Sequence, residues 1–200
     1  MATTTYTTLT LVKTALGIPE ADTGDDTLLN SSIASASRWI DRDTGRRYWK
    51  DDSAVPRLVR TSKCAFWDNG EHMLLVNDIA STAGLIVETG STSGGWQTVT
   101  GYETLPDNAI SDGVPITRIV HPSQWPTGPH QRVRITAIWG WPSVPEQVEE
   151  AARLLVSRRF RRKDSPQGVA GSADWGVVRI ARTDPDVWDL LKDVELPGFG

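Results

Sequence analysis

The sequence predicts an α+β protein, a small helical bundle with an antiparallel β-sheet or sandwich inserted between its helices. Apolar residues recur at helical spacing in both terminal parts of the chain. In the middle, β-favouring runs alternate with turn residues, and one strand of strict period two leads directly into a helix. We therefore expect a helical core over residues 1–49 and 141–200, and a β-rich insertion over residues 50–140.

Two helices are predicted before residue 50. Thr8 can cap a short first helix, and Gly17 suits the left-handed position that follows it. The apolar face of this helix is expected to consist of Leu9, Val12 and Leu16. Asp25 or Asp26 can cap a longer second helix, which ends at Thr44-Gly45. Its apolar stripe is expected to consist of Leu29, Ile33, Ala36 and Ile40, widened by Leu28 and Trp39.

The middle of the chain has the pattern of a small antiparallel sheet or sandwich. The expected strands are residues 57–61, 72–76, 85–89, 96–100, 116–120 and 133–139. Turn residues separate them at positions 68–70, 91–95 and 106–108. The proline-rich loop 121–129 is expected to be irregular and exposed.

A central helix is predicted after the last strand. Pro145 suits its first position, because a missing N–H has no partner there, and Ser143 is a possible cap. The predicted apolar face consists of Val148, Ala151, Ala152, Leu155 and Val156. Residues 166–174 are expected to form a loop and 175–181 a short extended piece. Thr183 or Asp184 can cap a last helix with Pro185 at its first position.

The C-terminal end of the central helix is strongly basic. Its cations are Arg158, Arg159, Arg161, Arg162 and Lys163, which point around the whole circumference. One interpretation is a solvated helix end that complements the helix dipole. The other is a protruding basic edge that meets an acidic partner or passing nucleic acid. The sequence leaves both interpretations open.

Composition limits the classes of function. The 200-residue chain has a net charge of -4, so any contact with DNA must be local rather than driven by bulk charge. Its one cysteine, Cys64, excludes an internal disulfide framework. The N-terminus lacks the pattern of a secretory signal, no apolar run has the length of a membrane span, and we expect no membrane partner.

The sequence contains no recognisable catalytic, metal or cofactor motif. The three histidines, His72, His121 and His130, lack the spacing of a zinc site. No phosphate-binding glycine loop and no nucleophile elbow is present. We therefore expect no enzyme activity, no cofactor and no metal.

Three stretches of the sequence resemble head–tail connector (adaptor, or head completion) proteins of tailed double-stranded DNA bacteriophages. Residues 25–48 read D-D-T-L-L-N-S-S-I-A-S-A-S-R-W-I-D-R-D-T-G-R-R-Y. In residues 133–160 a strand leads through G-W-P-S-V-P into a helix rich in Ala, Leu and Arg. Residues 179–191 read R-I-A-R-T-D-P-D-V-W-D-L-L. The three stretches occur in the order found in that family, whereas the β-rich middle is not matched by motif.

The resemblance implies a structural virion protein of the phage neck, made in the host bacterial cytoplasm. Such proteins assemble as a ring, commonly of twelve copies, beneath the portal, and extend the channel for double-stranded DNA. The implied partners are the portal protein, neighbouring copies and the next neck or tail-completion protein, while DNA passes without sequence recognition. We expect the C-terminal segment to be a docking tail. The residues expected at the portal or the channel are Arg158, Arg159, Arg161, Arg162, Lys163, Trp175, Arg179, Arg182, Trp188 and Phe199.

Two other classes compete with this interpretation. A β-sandwich binding module could stack sugars on Trp67, Trp96 and Trp125, if these rings are exposed in loops. A hydrolase would need polar residues that converge in a pocket, which the sequence does not indicate.

Overall fold

The chain forms two compact units, described here from a computed structural model. The structure describes residues 4–68, 70–91, 93–128, 130–163 and 185–195. We call Trp49–Ser143 the β unit, and Thr3–Tyr48 together with Val144–Gly200 the helical unit. Helices and an antiparallel sheet occur in one chain, so the predicted α+β class is confirmed. The assignment of the helical parts to a connector core with a docking tail stays a prediction.

The described residues contain five helices and seven strands. The helices are α1 (Leu9–Leu16), α2 (Asp26–Thr44), α3 (Thr61–Cys64), α4 (Glu146–Arg161) and α5 (Pro185–Leu191). The strands are β1 (Val55–Val59), β2 (Ala65–Asp68), β3 (Glu71–Ser91), β4 (Trp96–Thr98), β5 (Glu103–Leu105), β6 (Ile116–His121) and β7 (Gln131–Trp139).

The ends of α1 and α2 follow the predicted capping pattern, with one difference. Thr8 Oγ1 accepts a hydrogen bond from the Leu11 N–H at 3.3 Å, and Gly17 has a φ of +71°. Both residues therefore act as predicted. Asp25 occupies the cap position of α2, but its side chain makes no capping hydrogen bond. Its carboxylate accepts instead from Lys163 Nζ at 2.7 Å.

The predicted stripe of α2 is the centre of the helical unit. Leu29, Ala36 and Ile40 are fully buried, and Ile33 is 3% exposed. This stripe packs with Val12 of α1 and Val156 of α4, as well as with the partly buried Leu9 and Leu16. Leu28 was expected to widen the stripe, and this was wrong, because Leu28 is 45% exposed. Successive helical residues are rotated by about 100°, which turns Leu28 away from the core.

Helix α4 begins one residue later than the sequence pattern predicts. Pro145 is the cap residue, with φ −62° and ψ 144°, so the prediction that it is the first helical residue was wrong. Ser143 is not the cap. The carbonyl oxygen of Pro145 accepts the N–H groups of Val148 and Glu149, which starts the helix without a side-chain cap. The predicted apolar face is confirmed, with Leu155 only partly buried.

Helix α5 begins at Pro185 as predicted, with Val187 and Leu191 buried. Its proposed caps, Thr183 and Asp184, and the predicted segments 166–174 and 175–181 lie outside the described residues.

The β unit is organised around β3, a single strand of 21 residues that contains two of the predicted strands. Its register shifts once against β6, between Leu75 and Ile79, and twice against β7, between Ile79 and Ser81 and between Ser81 and Ile86. Its first part pairs with β2 and β6, whereas its last part pairs with β7 and β4. The sheet order is β1-β7-β3-β6-β5, all antiparallel. These irregularities in pairing let one strand pair with β2 and β6 in its first part and with β7 and β4 in its last part.

Both halves of the sheet contribute to one apolar core. Strand β7 alternates as predicted, and Val133, Ile135, Ala137 and Trp139 are buried. Further core members are Val59, Leu74, Ile79, Val87, Ala109, Ile116, Ile119 and Trp125. The Trp139 indole N–H donates to the Val55 carbonyl oxygen at 2.6 Å, so this large side chain is buried with its polar atom satisfied.

Several predictions in the β unit need correction. The strand expected at residues 57–61 occupies Val55–Val59, and Thr61 begins α3 instead. Helix α3 and strands β2 and β5 were not predicted, because each has only three or four residues. The loop 121–129 was expected to be exposed, yet Trp125 within it is 3% exposed. Its indole N–H donates to the His72 carbonyl oxygen at 3.0 Å and holds the loop on the sheet.

Candidate interaction surfaces

Three of the five cations at the basic end of α4 contact groups within the helical unit. Arg158 forms an ion pair with Asp186 of α5, and Lys163 Nζ lies 2.7 Å from a carboxylate oxygen of Asp25. Arg159 donates to the Ser35 hydroxyl at 3.2 Å, and burial lowers the pKa of its guanidinium. These three contacts tie α4 to α2 and α5.

Arg161 and Arg162 differ from these three cations. Both are exposed, and neither side chain has an ion-pair or hydrogen-bond partner in the described part of the chain. Of these five cations, they are therefore the two that can meet another molecule without first breaking a contact within the described part of the helical unit.

Trp188 of α5 is a second exposed feature near the C-terminus. Its side chain is 50% exposed, whereas Val187 and Leu191 on the same helix are buried. The buried pair anchors α5 and leaves the indole at the surface. Four other residues expected at the portal or channel, Trp175, Arg179, Arg182 and Phe199, lie outside the described residues.

A groove between α1 and α4 was not predicted from the sequence. Its volume is about 500 Å³. Its walls consist of Leu11, Thr14 and Ala15 from α1, and Glu150, Arg153, Leu154, Ser157, Arg158 and Arg161 from α4. The α4 residues recur at intervals of three, one, three, one and three, so they form one helical face beside the buried stripe. In the sequence, this face of α4 is mostly polar and has the pattern of an ordinary solvated surface. Only the packing of α1 beside it shows that it borders a groove.

A buried hydrogen-bond network joins the start, middle and end of the helical unit. The Tyr6 hydroxyl donates to the Asp41 carboxylate and accepts from the Tyr48 N–H at 2.9 Å. The Tyr48 hydroxyl donates to the Val194 carbonyl oxygen at 3.0 Å. Burial, and then the bond to Asp41, raises the pKa of Tyr6 far above its usual value. The network fixes the segment that follows α5 against the segment that follows α2.

On the β unit, the three tryptophans proposed for sugar stacking have three different environments. Trp67 is 60% exposed, whereas Trp125 is 3% exposed. The guanidinium of Arg134 lies 4.5 Å from the centroid of the Trp96 ring and covers one of its faces. The same arginine forms two 2.6 Å hydrogen bonds with Glu88, which hold the pKa of that carboxyl below its usual value. These rings do not form the open platform that the sugar-binding hypothesis requires.

The described residues show no reaction centre in either unit. The His72 ring packs against Trp67 and the His121 ring against Trp125, so both histidines make ordinary aromatic contacts. No group of three or more His, Cys, Asp or Glu side chains in the described ranges could hold a metal ion. None of the helices in the described part of the chain has the length and apolar character needed to cross a bilayer.

Comparison with protein families finds a match over part of the chain. Residues 6–65 match the family described as "Phage gp6-like head-tail connector protein". The match covers α1, α2, the T-G-R-R-Y stretch at residues 44–48 and the first part of the β unit. The resemblance to head–tail connectors that the sequence predicted is confirmed by this match. The matched family is a structural class and not a class of enzymes.

Comparison with solved structures finds the same fold in neck and virion proteins. One chain, from "Neck of empty GTA particle computed with C6 symmetry", has a TM-score of 0.53 and 19% identity, and the alignment covers 94% of this chain and 89% of the other. Another, from "Virion of native gene transfer agent (GTA) particle", has a TM-score of 0.52 and 18% identity, with coverages of 96% and 90%. A search of curated protein sequences finds no match. At these identities the structural likeness establishes the fold.

Proposed function

We propose that the protein is a structural component of the virion neck that forms a ring beneath the portal, joins the DNA-filled head to the tail and extends the DNA channel. The observation that carries this proposal is the match of residues 6–65 to the connector family. The similar fold of a chain in a neck described with C6 symmetry supports a ring. The copy number expected from the resemblance is twelve.

The charge of the chain suits a channel that lets DNA slide. A net charge of -4 gives the subunit no general attraction for phosphates, so DNA contacts would release few counterions. The exposed cations that remain available at the end of α4 are Arg161 and Arg162. Two adjacent cations act locally, and an acidic surface of the portal is the partner that we assign to them.

Charge reversal at these two positions tests the portal contact. The variant Arg161→Glu/Arg162→Glu should weaken binding to the portal protein of the same particle by about tenfold or more, since both charges then repel an acidic partner. A matched control, Arg60→Glu/Lys63→Glu, makes the same change in charge at exposed positions of the β unit. Binding is measured by mass photometry of the portal ring mixed with each variant at two salt concentrations.

The control variant should bind within about twofold of the wild type and lose affinity with salt as the wild type does. Equal weakening by both variants would show that only net charge matters. Unchanged binding by the α4 variant, with circular dichroism that shows a folded chain, would remove these arginines from the portal contact.

A further inference from the structure

The groove between α1 and α4 has the form of a helix-binding site. It lies between α1 and α4, with Leu11 and Ala15 on one side and Leu154 on the other. Ala15 is exposed and Leu11 and Leu154 are half-buried, so part of the apolar wall is open to solvent. An additional helix or turn would bury this surface as a third member of the bundle.

The rim of the groove selects an acidic occupant. It carries Arg153, Arg158 and Arg161 against one carboxylate, Glu150. Arg153 pairs with Glu150 on its own helix, and Arg161 has no side-chain partner among the described residues. Arg158 already takes a carboxylate from α5 of the same copy. Carboxylates are therefore the groups that this rim binds.

One polar atom of the groove has no partner. Ser157 is 9% exposed, and its hydroxyl makes no hydrogen bond in the described part of the chain. Buried hydroxyl groups are normally hydrogen-bonded, so this part of the wall is incompletely satisfied in the single chain. A large aromatic side chain can cover such a wall and exclude water from it.

The chain itself carries a segment with these properties. Trp188 is 50% exposed on α5. The carboxylate of Asp189 is 67% exposed, and its ion-pair partner among the described residues is Lys192, one turn along the same segment. Asp193 is also exposed. A closed ring needs two different complementary patches on each copy, and the groove and this face of α5 complement each other in charge and in the pairing of anchor and cavity.

We infer that the α1–α4 groove receives the Trp188 face of α5 from the neighbouring copy and forms the contact between subunits of the ring. This inference rests on the proposed ring. Trp188 is the anchor between Ala15 and Leu154, and Asp189 meets the rim at Arg153, while Arg161 stays assigned to the portal contact. The sequence expectation that Trp188 contacts the portal stays a prediction, and this inference assigns the side chain to a contact between copies instead.

Cross-linking between two single-cysteine variants tests this contact. In a Cys64→Ser background, Ala15→Cys and Lys192→Cys are purified separately, mixed, assembled on the portal and oxidised. Lys192 lies one turn after Trp188, so this variant keeps the proposed anchor. Because each chain carries one cysteine, only a contact between copies gives a mixed disulfide. We expect a covalent mixed dimer from this pair. A matched pair, Ala34→Cys with Lys192→Cys, uses an exposed alanine on α2 outside the groove and should give none.

A second variant fills the groove without touching the core. Ala15→Trp should abolish ring assembly while circular dichroism shows a folded monomer, and Ala34→Trp should assemble normally. Rings that form without the cross-link, or that tolerate Ala15→Trp, would overturn the contact and leave the ring proposal intact. Rings that persist with Ala15→Trp but lose the portal would assign the groove to the portal. A chain that stays monomeric with and without the portal would overturn the ring and this contact together.

Discussion

Replacement of Tyr6 by Phe tests whether the buried network holds the helical unit together. The substitution keeps the ring, which is 2% exposed and lies 5.7 Å from the Tyr48 ring in an edge-on arrangement. It removes the hydroxyl that donates to Asp41 and accepts from the Tyr48 N–H. The change therefore separates hydrogen bonding from packing.

The expected loss follows from the groups that remain. A buried N–H without a partner costs about 1–3 kcal/mol, and a hydrogen bond to a charged group contributes about 1.5–3 kcal/mol. Because both bonds share one hydroxyl, the two costs overlap, and we expect the free energy of unfolding to fall by about 3 kcal/mol. For a chain of this length the melting temperature should fall by roughly 6–12 °C.

The assay is urea unfolding followed by the far-ultraviolet circular dichroism of the helices. Tyr48→Phe serves as the control, because the Val194 carbonyl oxygen that loses the Tyr48 hydroxyl still accepts from Arg46 at 3.3 Å. That variant should lose only about 1 kcal/mol. A Tyr6→Phe protein within about 0.5 kcal/mol of the wild type would refute the reasoning.

Three further substitutions test the two cores and one surface pair. Leu29→Ala should cost about 2–5 kcal/mol in chemical unfolding, because Leu29 is fully buried, whereas Leu28→Ala should cost less than about 1 kcal/mol. Gly140→Ala should cost more than about 3 kcal/mol, since φ is +114° and a Cβ atom would lie 2.1 Å from the Trp49 carbonyl oxygen. Glu88→Gln should remove a stability contribution that the lowered pKa provides above pH 4.5 and that is lost as the pH falls.

Each of these expectations has its own contrary result. Equal losses for the Leu29 and Leu28 variants would contradict the placement of the α2 stripe. A soluble Gly140→Ala protein of wild-type stability would contradict the close approach of the two backbones. For Glu88→Gln, the stability difference from the wild type should shrink as the pH is lowered below 4.5, and a difference that is constant with pH would contradict the ion pair.

Local patterns predicted α2, α4 and β7 well, because burial and capping act within a few residues. The α2 stripe and the alternation of β7 are both direct consequences of one buried face. Thr8 and Gly17 were placed correctly because their roles depend on local backbone geometry. The start of α4 was predicted one residue too early, at Pro145, since proline satisfies the geometry of either the cap or the first helical position.

Features that depend on distant contacts could not be predicted. The length of β3 results from pairing with four other strands, and the sequence shows only its two apolar ends. Trp125 lies in a proline-rich loop, and its burial depends on the His72 carbonyl oxygen, which lies 53 residues away along the chain. The groove has no signal of its own, because its α4 face is mostly polar and its apolar wall combines Leu154 of α4 with Leu11 and Ala15 of α1.

At the basic end of α4, the sequence located the cations but did not predict which of them form contacts within the helical unit. The sequence identified all five cations and left both interpretations open. The structure assigns Arg158, Arg159 and Lys163 to contacts within the unit and leaves Arg161 and Arg162 exposed. Helix periodicity could not separate them, since their partners come from α2 and α5.

The most direct test of the central proposal is the mass of the purified protein, alone and mixed with the portal ring of the same particle. The proposal predicts that the mixture contains a complex in which each portal ring carries a closed ring of connector subunits. A protein that stays monomeric and leaves the mass of the portal unchanged would contradict it.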